Sequence, residues 1–388
     1  MELVSIDQYY RMGFASSLSD IGQEQWDNLL KSDPSANPFL SYAFLHALHS
    51  SGSASAKTGW HPYYLTIWQD KTLVGACPLY QKTHSYGEYV FDWSWAQAYQ
   101  QHGLQYYPKL LSAIPFTPVT GSRIIASDNT VRNLLLENLK NLTLSGEFSS
   151  CHILFPDENQ ITQLKNAGFL IRAGVQFHWQ NDQHSDFESF LKTLSKKKRK
   201  NIRAERKKVQ ELGIIFSHIQ GLEANEEDWL FFKRCYDATY ENHHSKPYLN
   251  LEFFTQIGST IPQHVHLIFA IKDGKKIAAS LLIFNQSKVY GRYWGCVEHY
   301  PCLHFETAYY QAIEFCINNG IRTFEGGAQG EHKMARGFLP QKTASAHFLT
   351  HPEFSNAVAN FLQRETNGIE LYLDDLNEHN PYKQPLEI

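Results

Sequence analysis

The chain has 388 residues, 43% hydrophobic, 14% aromatic and 19% charged, which excludes a single small module and a disordered chain and predicts two domains of about 200 residues each. A net charge of −4 excludes a basic coat that would make nucleic acid the default partner, so DNA is not expected and any polyanion site must be local. Six scattered cysteines, an N-terminal MELVSIDQYYRM without an apolar leader core, and no run of 18 apolar residues predict a cytoplasmic protein with free thiols and no transmembrane segment. Peripheral membrane contact stays compatible with that composition, as do a monomer and a homodimer.

Two segments 204 positions apart align without a gap, Lys71 to Tyr89 and Lys275 to Tyr293. Leu73 matches Ile277, Leu79 matches Ile283, Tyr80 matches Phe284, and a Tyr-Gly-x-Tyr follows each. Such self-similarity is the mark of a repeated structural unit. Each copy reads as strand, turn, strand, third strand and then helical sequence, with Tyr106-Tyr107 echoing Tyr309-Tyr310 at the opening of an apolar helix-like stretch.

In chain order, the first copy continues with a helix over 131–144, a buried strand over 151–155, a helix over 161–167 closed by Gly168, and a last strand over 169–179. The polar stretch 181–186 reads as a linker, dividing the chain into domains 1–180 and 181–388. The second domain opens with a basic helix at about 190–212. It continues with a strand over 264–271, a hairpin turn at Asp273-Gly274 and the partner strand 277–284. A third strand over 290–296, a helix over 305–319 stopped by Gly320, and a short strand over 321–324 complete it. The expected class is α+β: tandem GNAT-like domains, each a mixed central sheet flanked by helices, because this order is that of the N-acetyltransferase superfamily used twice.

Residues 192–208 hold ten Lys or Arg and one Glu, leaving −13 for the remaining 371 residues. On a helix, Lys196, Lys200, Arg203 and Lys207 share one side while Leu191, Leu194, Ile202, Val209 and Leu212 form a docking stripe. A solvated, solubilising helix is one reading of the run. Its concentration against an acidic remainder points to a phosphate-bearing ligand such as a pyrophosphate, a tRNA backbone or an anionic head group.

The pattern Leu191, Leu194, Arg199, Ile202, Arg203 and Lys207 at the start of the second domain resembles the Fem-type peptidyltransferases. Residues 78–121 and 303–340 resemble, more specifically, a bacterial Fem-like family associated with peptidoglycan biosynthesis or recognition. The resemblance covers nearly the whole chain. It implies transfer of an aminoacyl group from an activated donor, aminoacyl-tRNA, onto an amine of a cell-wall precursor. The alternatives are a CoA-dependent N-acyltransferase and a non-catalytic protein that binds a precursor or RNA. No tightly bound cofactor is expected; aminoacyl-tRNA or acyl-CoA would be a co-substrate.

Acyl transfer to an amine needs a held carbonyl, donors for the developing oxyanion and an acceptor for the amine proton. Glu306 or His304, between the third strand and its helix, is the expected base, against a helix-capping Glu306 and a hydrogen-bonded loop histidine. The polar segment 325–333 follows a short strand. There Lys333 and Arg336 are expected to neutralise a substrate anion, Glu331 to orient the amine, and His332 and Tyr293 to line the substrate site. A plain charged turn competes with that reading. In Fem-type enzymes a comparable Lys-x-x-x-Gly-Phe element, here Lys333 to Phe338, lies near the substrate channel. In the first domain Asp92 sits among aromatics, as a base in a cleft or as the cap of the next helix. Lys196, Arg199, Lys200 and Arg203 are the donor- or phosphate-binding candidates.

Neither copy carries the Arg/Gln-x-x-Gly-x-Gly/Ala loop that cradles a CoA pyrophosphate, which lowers the CoA reading. Cys296, Glu298, His299, Cys302, His304 and Glu306 crowd together but match no common zinc spacing, so no metal is expected.

Overall fold

The computed structural model describes residues 1–6, 8–327 and 330–383. The chain forms two compact units: unit 1 is Met1–Gly174 with Lys342–Leu371, and unit 2 is Val175–Gln341 with the residues from Tyr372 onward. This differs from a single cut after residue 180, and the reason lies in two strands described below.

Unit 1 opens with β1 (Leu3–Ser5) and β2 (Tyr10–Ala15), the helices α1 (Gln23–Lys31) and α2 (Tyr42–Ser50), and β3 (Trp60–Pro62), β4 (Tyr64–Gln69), β5 (Thr72–Cys77) and β6 (Leu79–Lys82). It continues through α3 (Trp93–Gln101), β7 (Lys109–Ser112), β8 (Ile125–Ala126), α4 (Asn129–Thr143), β9 (Ser150–Leu154), α5 (Glu158–Asn166) and the start of β10 (Leu170–Gln180). Asp128 caps α4 by accepting from Val131 N, and its Val131, Leu135 and Leu139, spaced four apart on one face, pack on Leu65, Ile67, Leu110 and Ile153.

Unit 2 comprises α6 (Phe187–Thr193), α7 (Lys196–Glu211), β11 (Ile215–Gln220), α8 (Glu226–Asn242), α9 (Leu251–Thr260), β12 (Val265–Lys272), β13 (Lys275–Phe284) and β14 (Lys288–Cys296). A helical run follows, α10 (Leu303–Phe305), a π-helical segment Glu306–Tyr310 and α11 (Gln311–Asn318), then β15 (Thr323–Glu325) and the start of β16 (Leu339–Leu349); the rest of β16 and α12 (Pro352–Glu378) as far as Leu371 belong to unit 1. The expected basic helix is interrupted: Leu194 is extended, with ψ 155°, so Leu191 lies on α6 and the cations on α7.

In unit 2, β11, β12, β13 and β14 run antiparallel to their neighbours, β14 pairs parallel with β15, and β15 pairs antiparallel with β10. In unit 1, β6 pairs antiparallel with β7, β7 parallel with β9, and β9 antiparallel with β16. Each unit therefore closes its sheet with a strand from the other half of the chain. Trp179 on β10 pairs with Phe324, and Ala346 on β16 with Ile153. Strand periodicity identifies 169–179 as a strand but carries nothing about its partner, which is why a single linker was expected at 181–186.

The repeat is real in topology and breaks in sequence register. Residues 86–89, which align with the third strand of the second copy, form a loop because Gly87 (φ 80°) and Tyr89 (φ 60°) occupy left-handed backbone that cannot continue a strand. A Cβ at position 87 would stand 2.6 Å from the Phe116 ring. The third strand is β7, so Tyr106-Tyr107 precedes a strand whereas Tyr309-Tyr310 lies in the helical run.

Candidate functional site

Strand β14 pairs with β15 from Lys288 to Tyr290 and then runs on to Cys296 paired with β13 on its other side. Where the parallel pair parts, a cavity of about 90 Å³ opens, lined by Ser280, Gly291 to Trp294, His304, Ala308, Tyr309, Phe324 and Gly326. The β13–β14 register slips there, Leu281 facing Tyr293 but Leu282 facing Gly291, so Arg292 is the extra residue of a bulge that bends the strand at the cavity. Glycine is needed at 291 and 326, because a Cβ would meet the Phe324 ring at 2.9 Å in one case and the Phe338 ring at 2.9 Å in the other. A larger open groove of about 500 Å³ lies between α4 and α5 of unit 1. Its one lysine, Lys140, already donates to Ala167 O at 2.8 Å, so the groove gathers no chemistry.

The cavity holds two of the expected residues, Tyr293 and His304. His304 stacks on Trp294 with ring centroids 4.5 Å apart and lies near Tyr309 and His332. Burial first, then the positive charge of His332, Arg336 and Lys333, pushes its pKa down to about 4, so the imidazole is neutral at pH 7 and able to accept a proton. Lys333 is buried, its Nζ donating among the described residues to Gly327 O at 3.3 Å, and burial pushes its pKa down to about 8. His332 is exposed, with Nε2 3.1 Å from the Tyr309 hydroxyl. Glu331 accepts from Tyr372 OH at 2.7 Å. Ala328 and Gln329 of the polar segment lie outside the described residues.

Glu306 and Arg336 are engaged in the fold. Glu306 is buried in the π-helical segment, where Arg206 Nη2 donates at 3.0 Å and Gln311 Nε2 at 2.8 Å. Burial raises its pKa while Arg206 opposes the rise. Arg206 also donates to Glu314 at 2.9 Å and 3.0 Å, which pins α7 to α11. Arg336 donates to His332 O at 2.7 Å and Glu205 at 2.9 Å and lies 3.4 Å over the Phe305 ring.

On α7, Ile202, Glu205, Arg206 and Val209 face inward at helical spacing, while Lys196, Lys197, Lys200, Arg203, Lys207 and Lys208 are exposed. Arg199 is half-buried between the two faces. Arg203 meets exposed Glu188 on α6, and Lys207 meets Glu211 at 3.5 Å. The remaining outer cations carry no carboxylate partner among the described residues.

Asp92 belongs to unit 1. It stands at the start of α3 without capping it. Lys82 and Lys109 face each other across β6 and β7, both fully buried. Lys109 pairs with Glu88 at 2.8 Å and with Asp92, and Tyr106 OH donates to Asp92 at 2.7 Å. Burial would raise Asp92, but Lys109 and His152 hold its pKa well below the carboxylate range. Burial likewise pushes Glu88 up to about 7 against Lys109, and Lys82 down to about 7 against Glu88. The hydrogen bonds run on from Tyr106 to His152 Nε2 at 3.1 Å and from His152 Nδ1 to His347 Nδ1 at 2.6 Å.

Trp294, Tyr309, Glu205 and Arg206 were not singled out by sequence reasoning. The usable signal for Glu205 was its being the one acid in a run of ten cations. Among the described residues no group of three or more His, Cys, Asp or Glu could hold a metal, the six cysteines are unpaired thiols, and no helix is long and apolar enough to cross a membrane.

The FemX crystal structure superimposes with a TM-score of 0.54 at 13% identity, over 86% of this chain and 98% of that one. The structure of L-PGS from Bacillus licheniformis does so at 0.53 and 8% identity, over 88% and 96%. A tandem GNAT protein of the clavulanic acid pathway is similar at 0.46 and 10% identity, over 88% and 99%. No curated protein sequence matches the chain. The first two matches show the fold that the chain shares with them, mixed sheets flanked by helices. A family model described as peptidoglycan biosynthesis/recognition matches residues 17–384, and the chain belongs to that FemAB-like family.

Proposed function

We propose that the protein transfers an aminoacyl or acyl group from an activated donor to an amine on a peptidoglycan precursor, at the cavity of unit 2. The observation that carries this reading is a neutral His304 beside the open end of the β14–β15 pair, with the buried ammonium of Lys333 engaged, among the described residues, by one carbonyl oxygen. The acceptor amine attacks the donor carbonyl. The new C–N bond forms as the carbonyl oxygen takes the electron pair, and His304 accepts the amine proton. Collapse expels the donor oxygen or sulfur, to which the imidazolium returns the proton. Lys333 stabilises the negative charge of the intermediate or holds a substrate anion, and the aromatic walls exclude water.

The bare outer cations of α7 supply a phosphate-binding surface, which favours aminoacyl-tRNA over a CoA thioester as donor. Asp92 serves the buried network of unit 1 in this reading, and Glu306 fixes α7. The six free thiols support a cytoplasmic location. The test is single-turnover transfer from charged tRNA, and separately from acyl-CoA, to an N-terminal or side-chain amine of a muropeptide. His304→Gln is expected to lower the rate about 100-fold. A folded variant with the native rate would remove His304 from the chemistry.

A further inference from the structure

Glu205 is the single acid in the basic run, and it turns inward. Its carboxylate accepts from Arg336 Nη2 at 2.9 Å and from the Tyr310 hydroxyl. Arg336 is buried and donates its other terminal nitrogen to His332 O at 2.7 Å. His332 in turn meets the hydroxyl of Tyr309, a wall of the cavity, at 3.1 Å, and Lys333 follows it in the chain. Hydrogen bonds to the backbone carbonyl and to the ring of His332 therefore link α7 to the cavity wall through that residue.

The segment between needs such an anchor. Glu331–Arg336 is a short 3-10 turn flanked by Gly330 (φ 122°) and Gly337 (φ 91°), a geometry with little rigidity of its own. Without Glu205, buried Arg336 would lose the one carboxylate that pairs with it among the described residues and stand as an uncompensated cation beside Lys333 and His304.

We propose that Glu205 is a positioning residue for acyl transfer: it fixes Arg336 and Tyr310, and through Arg336 the turn that carries His332 and Lys333. The proposal rests on transfer at the unit 2 cavity. Glu205 touches neither reacting group, so its loss should act on the chemical step more than on donor affinity.

The test compares native protein with Glu205→Gln, which keeps the shape and loses the charge, and Glu205→Asp, which keeps the charge on a shorter arm. Single-turnover and steady-state transfer from glycyl-tRNA and acetyl-CoA would be measured alongside the NMR titration of the His332 imidazole. Glu205→Gln is expected to melt within a few degrees of native, lower kcat about tenfold and leave KM within about twofold. The His332 midpoint and the acid limb of the rate profile should move to lower pH, because a negative charge that offset Arg336 is gone. Glu205→Asp should restore the pH behaviour in part. A folded Glu205→Gln with native kcat overturns the proposal, as does an equal loss in both variants with an unmoved His332 titration, which would mean packing alone. A native protein that transfers neither group removes the transfer reading itself and overturns the catalytic half of the proposal; the His332 titration still decides whether Glu205 sets the turn.

Discussion

Units 1 and 2 share one run of antiparallel, parallel and antiparallel pairings and treat the end of their parallel pair in opposite ways. In unit 2, β14 outruns β15 and leaves a cavity bounded by His304 and aromatic side chains. In unit 1, β7 stops at Ser112 and the chain after it, residues 113–119 and 121–124, is buried throughout. Arg123 is wholly buried there, its guanidinium donating to the carbonyls of Val119, Gly121 and Ser122 at 2.7, 3.1 and 3.0 Å. The charges differ in the same sense. Unit 1 sets two lysines against two carboxylates inside its core, whereas unit 2 keeps a buried ammonium held by one carbonyl and an imidazole with no hydrogen bond to another described residue. Charges that satisfy one another build structure, and charges left with spare capacity are available to a ligand.

The sharpest way to break that contrast is to remove one lysine from each unit. Lys109→Met leaves Glu88 and Asp92 buried without their main partner and should cost about 3–5 kcal/mol of stability, read by urea unfolding. Lys333→Met strands no carboxylate and should leave stability near native while transfer falls. Equal destabilisation by the two would erase the distinction.

Acid unfolding sharpens the same point. His152, His49 and His304 have pKa values pushed down to about 3, 4 and 4, in each case first by burial, so between those values and about 6.5 the unfolded chain binds more protons. Their contribution is full above pH 6.5 and is lost as pH falls towards 3. Glu88, raised to about 7, works the other way between about 4.5 and 7. Three imidazoles against one carboxyl predict lower stability at pH 5 than at pH 7 by urea titration, and a flat or inverted profile would contradict the buried neutral histidines.

The mildest change lies on the surface. Replacing Lys196, Lys200 and Arg203 by Gln should leave the melting temperature within a few degrees. It should also make the salt dependence of tRNA binding shallower, by about 0.7–0.9 in the log–log slope for each phosphate no longer neutralised. An unchanged salt slope would leave α7 as a solubilising helix.

Much of the frame was legible because it is local. The Asp273-Gly274 hairpin, the face of α4, the stop at Gly320 and the inward stripe of α7 follow from turn chemistry and period. The strand exchange was not, since nothing in β10 or β16 encodes a partner. The loop at 85–92 was masked by a repeat whose Tyr-Gly-x-Tyr matches β14 letter for letter while Gly87 and Tyr89 take left-handed backbone. At the site, residue type and position drew attention to His304 and Lys333. The burial that makes one neutral and lowers the pKa of the other is a tertiary property, as is the inward turn of Glu205. Glu306 shows the converse: its type suits a base, and its Arg206 ion pair is invisible in sequence.

The most direct measurement is single-turnover transfer to a muropeptide amine by native protein, His304→Gln and Asp92→Asn, each shown to be folded. The account predicts a loss of about 100-fold in His304→Gln, with Asp92→Asn impaired in stability rather than in the chemical step. Loss of the chemical step in a folded Asp92→Asn, with His304→Gln at the native rate, would contradict it and move the chemistry out of the unit 2 cavity.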